Sequence, residues 1–95
     1  MTEITVEVPS VLASTLGGQR SLQLPLPTEG TVRGILDALG EQYPLFARRV
    51  RDERGQVRRF VNVFIGQDNI RSLQGLDSVV PAGEQVLIMQ SVAGG

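Results

Sequence analysis

From Glu3 to Val8 the chain alternates without interruption, with Ile4, Val6 and Val8 on one side and Glu3, Thr5 and Glu7 on the other. A period of two with one apolar side is the signature of a half-buried strand. Pro9 stops the run, and Gly17-Gly18 marks a turn before a second alternating stretch, Ser21-Leu22-Gln23-Leu24-Pro25-Leu26. The two stretches predict a hairpin with a long, irregular connection. At Thr31 the period changes. Thr31 is a helix cap, and Val32, Ile35, Leu36, Leu39 and Tyr43 follow at helical spacing until Pro44 ends the run. Gly34 and Gly40 weaken this helix, so packing of its apolar stripe has to hold it.

Residues 47–59 are polar around Asp52-Glu53-Arg54-Gly55 and read as a surface loop. A strand is predicted over Phe60–Ile65, a turn at Gly66-Gln67-Asp68-Asn69, a short return beginning at Ile70-Arg71, and a last strand over Gln85–Gln90. One main helix among several strands predicts an α+β domain, a mixed sheet with the helix across it. A right-handed crossover then sets a later strand parallel to the first. Alternation also sorts the two late strands into faces. Val61, Val63, Ile65, Val86 and Ile88 share the helix side, which leaves Phe60, Phe64, Leu87 and Met89 on the open side. An open apolar patch of this kind marks a docking surface, the alternative being that the loop after Pro9 folds over it.

Composition narrows the chemistry. The 95 residues have no His, Cys or Trp, and all nine basic residues are Arg. Thiolate, imidazole and Schiff-base catalysis are therefore excluded, as are Cys and His metal sites. Asp68, Asn69 and Asp77 fit no calcium-loop spacing, so no metal site is expected, and because no pair of carboxylates stands out among the ten present no catalytic residue is expected either. A formal net charge of −1 argues against nucleic acid as a partner. With no Cys, no apolar segment of spanning length and no signal-peptide pattern, a cytoplasmic, membrane-free location is expected. Six arginines (Arg48, Arg49, Arg51, Arg54, Arg58, Arg59) fall within twelve positions. Asp52 and Glu53 reduce them to a local net of +4. A solvated loop is the simpler reading and contact with an acidic partner the alternative.

The strand order, the size, the run Arg59-Phe60-Val61-Asn62-Val63-Phe64 followed by Ile70-Arg71, the earlier Gly17-Gly18-Gln19, and the ending Ser91-Val92-Ala93-Gly94-Gly95 resemble one family over essentially the whole chain. It is the ubiquitin-like β-grasp sulfur carriers, which include the molybdopterin-synthase small subunit and the thiamine sulfur carrier. Within it, the CysO-type carriers of actinobacterial cysteine synthesis are the nearest match. Gln90-Ser91 stands where such tails often carry prolines. The resemblance implies a β-grasp domain over residues 1–91 and a flexible tail, Val92, Ala93, Gly94 and Gly95. It implies a carrier rather than an enzyme. An E1-like, MoeB-type partner would use ATP to adenylate Gly95, a sulfur-donor protein would convert it to a thiocarboxylate, and a synthase would accept the sulfur. No cofactor is bound by the carrier itself. Two rivals share these features: the small subunit of molybdopterin synthase, and a ubiquitin-like modifier joined to target lysines through Gly95.

Overall fold

The computed structural model describes residues 3–25 and 30–90. The expected tail, Val92 to Gly95, and the end of the second predicted strand at Leu26 lie outside the described residues. The first alternating run forms strand β1 (Glu3–Glu7) and the second forms β2 (Ser21–Pro25). They pair antiparallel, with Val6 opposite Leu22 and Ile4 opposite Leu24. The predicted irregular connection contains a short helix, α1 (Ser10–Ala13), and a 3-10 turn over Ser14–Leu16. Leu12 and Leu16 bury completely from it, and the turn packs beside the third helix. This segment therefore serves the helical layer and is no cover for the open face.

Helix α2 (Val32–Gln42) starts where its cap predicts, the Thr31 hydroxyl accepting the Gly34 amide at 3.2 Å. Val32, Ile35, Leu36 and Leu39 bury its apolar stripe. Tyr43 leaves helical geometry at φ −132° and stays half-buried, its hydroxyl accepting from Gln19 at 3.3 Å. Pro44 then does more than end α2, because it opens a third helix, α3 (Pro44–Val50). Proline's fixed φ suits the first helical position, and its missing N–H has no partner to lose there. Phe46 and Val50, four residues apart, bury on one side of α3. The expected loop over residues 47–59 thus begins as helix, and only residues 51–60 are irregular.

Strand β3 (Val61–Ile65) turns through Gly66-Gln67 into β4 (Asp68–Asn69). Gly66 takes φ +62°, which a two-residue hairpin loop asks of its first residue. The return strand therefore begins two residues before the expected Ile70-Arg71, which instead enter a 3-10 turn over Ile70–Ser72. A further 3-10 turn, Gly75–Asp77, leads to Ser78, whose carbonyl accepts the Val32 amide at 3.1 Å and so ties this loop to the start of α2. Strand β5 (Gln85–Gln90) completes the sheet in the order β2-β1-β5-β3-β4. As the crossover rule expects, β5 runs parallel to β1; it is antiparallel to β3. Ile4, Val6, Val61, Val63, Val86 and Ile88 share one core with Ile35, Leu36, Leu39, Phe46 and Val50. One sheet face is thereby covered by the helices and the other is left open.

Candidate functional site

The end of β5 is the point from which any tail must leave the domain. Gln90, the last described residue, is the register partner of Val61, the first residue of β3. Phe60 stands immediately before Val61, outside the strand and 42% exposed. Met89 is 40% exposed and lies opposite Asn62. Further along the same face, Phe64 and Leu87 are a cross-strand pair, both half-buried. The four residues expected to dock a partner thus share the open face, with Phe60 and Met89 at the end where the chain exits.

They do not form an unbroken apolar surface. Between Phe60 and Phe64 lies Asn62, whose side-chain oxygen accepts from Asn69 at 3.2 Å and also from the Arg71 guanidinium. The other Arg71 nitrogen donates to the carbonyls of Arg58 at 3.2 Å and Arg59 at 3.3 Å. Asn69 in turn caps the Arg71 amide at 2.9 Å. Arg71 therefore fixes the backbone of residues 58–59 against the start of β3. The sequence offered Asn62 and Arg71 only as parts of a resembling motif. Their joint role depends on a β3–β4 hairpin that brings position 71 back beside position 62.

Two grooves flank the exit. One, of about 500 Å³, is bordered by Glu7, Val8, Pro9, Arg20, Ser21, Leu87 and Met89. Arg20 and Pro9 were not expected in the site; β1–β2 pairing places them there, with the Val8 amide donating to the Arg20 carbonyl at 3.0 Å. On the other side a cleft of about 510 Å³ is lined by Asp52, Val57, Arg58, Arg59, Phe60 and Arg71. It adjoins a larger cleft of about 700 Å³ among Asp37, Arg48, Arg51, Arg54 and Arg58. The surface at the chain exit is apolar in the middle, mixed on one side and rich in arginine on the other.

Not all the arginines are available to a ligand. Arg51 is only 14% exposed at its side chain and is spent internally, at 2.6 Å from Asp37 and 2.7 Å from the Gly55 carbonyl. Asp52 is spent too, accepting the amides of Arg54 at 2.8 Å and Gln56 at 3.0 Å to shape the turn. Among the described residues no group of three or more His, Cys, Asp or Glu could hold a metal ion, and no described helix is long and apolar enough to cross a membrane.

The sequence pattern of the ThiS family matches residues 6–95, a span holding all of β3, β5 and the arginine segment as well as the Gly94-Gly95 ending. The chain belongs to the ThiS family. Among ThiS-family relatives, it is 33% identical over 94 residues to the sulfur carrier protein CysO of Mycobacterium tuberculosis, covering 97% of this chain and 98% of the relative. A chain in the Amycolatopsis orientalis BexX/CysO complex superimposes with a TM-score of 0.78 at 31% identity, covering 97% of this chain and 99% of that one. SAMP1 from Haloferax volcanii shares the fold with a TM-score of 0.82 at 24% identity, covering 98% and 99% of the two chains. The ubiquitin-like β-grasp architecture expected from the resemblance is therefore the fold of this chain.

Proposed function

We propose that this ThiS-family chain is a sulfur carrier, with Gly95 as its reacting end and the open sheet face around the β5 exit as its docking surface. The observation that carries the reading is the near-full-length likeness to CysO, together with a sequence that has no Cys, His or Lys. The protein then acts as a co-substrate of partner enzymes and catalyses nothing alone.

The chemistry follows from the weakness of a carboxylate as an electrophile. In the first step a Gly95 carboxylate oxygen attacks the α-phosphorus of ATP on an E1-like, MoeB-type partner, and pyrophosphate leaves. The product is a mixed anhydride whose AMP is a good leaving group. Sulfur at the sulfide level, delivered by a donor protein, then adds to the carbonyl carbon and expels AMP, which leaves a thiocarboxylate on Gly95. A synthase consumes that sulfur, and cysteine synthesis is the acceptor pathway that the likeness to CysO favours. Glycines suit this ending because they lack a Cβ and can enter a narrow channel in conformations closed to other residues. The solved BexX/CysO complex supports the idea that a chain of this shape works bound to a partner. Phe60, Phe64, Leu87 and Met89 supply the apolar contact in such a docked state, with Phe60 and Met89 nearest the exit.

Intact mass spectrometry tests the proposal. Incubation with the adenylating enzyme, ATP and a sulfur donor is expected to replace one oxygen of the protein by sulfur, and deletion of Gly95 is expected to abolish both adenylation and the mass change. A Gly95-deleted chain that is still adenylated at the wild-type rate overturns the reading. Recovery of Gly95 in an isopeptide with a target lysine would replace it by the modifier function, and stable co-purification with a large catalytic subunit by the molybdopterin-synthase one.

A further inference from the structure

The charge of this chain is segregated. Residues 48–59 hold six arginines and two carboxylates, a net of +4, while the remaining residues hold three arginines and eight carboxylates, a net of −5. Within the basic segment only Arg51 has a carboxylate partner among the described residues, and Asp52 is occupied by backbone amides. Arg48, Arg49, Arg54 and Arg59 are exposed, and among the described residues no hydrogen bond engages their guanidinium groups. The two clefts described above share Arg58 and Asp52, so the arginines make one continuous surface from the end of α3 to the start of β3.

That surface ends at the root of the tail. Arg59 is two residues before Val61, the register partner of Gln90. Residues 91–95 follow Gln90, and at ~3.3–3.6 Å each they reach at most about 18 Å. A partner that draws Gly95 into a closed active site must therefore bring the mouth of that site against the residues around Gln90. We infer that Arg48, Arg54 and Arg59, with Arg58 and Arg71 beside them, form an electrostatic docking surface for an acidic protein rim surrounding the tail-accepting site of the adenylating partner. The inference rests on the carrier reading and adds the chemistry of the partner. Rim charges act chiefly by accelerating encounter and selecting partners, and their influence is screened by salt.

The test compares wild type with the triple variant Arg48→Gln/Arg54→Gln/Arg59→Gln in ATP-dependent adenylation by the adenylating enzyme. These substitutions keep long polar stems and remove charge from exposed positions. Thermal melting is expected to be unchanged. At low salt the KM for the carrier is expected to rise about tenfold, the lower end of electrostatic steering effects, with kcat unaltered. The difference is expected to close as salt approaches about 0.5 M and the Debye length contracts to a few ångströms. A KM unchanged at low salt overturns the inference, as does a rise of equal size at every salt concentration. Tight binding of a labelled single-stranded RNA by wild type, lost in the variant while KM stays the same, would reassign the surface to nucleic acid. A wild-type chain that is not adenylated at all overturns the carrier reading and this inference together, whereas unaltered variant kinetics overturn the inference alone.

Discussion

Gly40 in α2 faces Ala47 in α3 so closely that a β-carbon built on Gly40 would stand 3.3 Å from that of Ala47. The glycine that weakens α2 as an isolated helix is what lets α3 fold back against it. Helix propensity at this position yields to the close approach of two helices. Gly40→Val is therefore expected to destabilise the protein by about 1–3 kcal/mol, the usual cost of overpacking, although valine is the better helix former. Chemical denaturation would measure it, and an unchanged or higher midpoint would mean that α3 can move away freely.

The two faces of β5 give opposite expectations for adjacent residues. Ile88 is fully buried in the shared core, so Ile88→Ala is expected to cost about 2–5 kcal/mol. Met89→Glu, on the open face, is expected to change stability by no more than about 0.5 kcal/mol while weakening association with the adenylating enzyme. Thermal melts alongside KM measurements separate the two effects. The assignment of faces fails if Met89 proves to be the stability-critical position.

Arg51 joins α2 to the basic turn through Asp37 and the Gly55 carbonyl, and its side chain is largely covered. Asp37 itself is mostly exposed, so solvent screening limits the ion pair. Arg51→Met is expected to cost about 1 kcal/mol, mainly from the hydrogen bond to Gly55. Amide hydrogen exchange should quicken locally at residues 52–57. Global exchange is expected to change little.

Thr31 caps α2 through the Gly34 amide, so Thr31→Ala is expected to cost about 1 kcal/mol and Thr31→Asp much less. Denaturant midpoints of the two variants measure the difference, and equal losses would show that the threonine methyl matters more than its oxygen.

What could be read in advance was whatever repeats locally. β1, β3 and β5 each alternate over at least five residues and α2 carries Val32, Ile35, Leu36 and Leu39 at helical spacing, so their faces follow from those periods. α3 buries only Phe46 and Val50 while Leu45 stays exposed, so no clear apolar stripe stands out in its seven residues, and Pro44 signals a stop as readily as a start. The segment after Pro9, which packs into the helical layer, is as short, with Leu12 and Leu16 as its anchors. The candidate site was legible in its apolar part, where alternation assigns Leu87 and Met89 to the open face. The clamp from Arg71 to Asn62 and to the Arg58 and Arg59 carbonyls joins residues 9 to 13 positions apart and follows from a hairpin register that no local pattern fixes. The expected tail residues, Val92 to Gly95, lie outside the described part of the structure.

The sheet order carries a consequence for how the protein is made. β5 is the last strand to be synthesised and the one that sits between β1 and β3. Until it emerges from the ribosome, the β1–β2 and β3–β4 hairpins have no strand joining them, and neither can bury its apolar face against a complete sheet. The residues that follow Gln90 emerge later still. A newly made chain therefore completes its sheet only after β5 has emerged. On the proposed carrier reading, an adenylating enzyme that grips the finished sheet would charge only those copies that have folded.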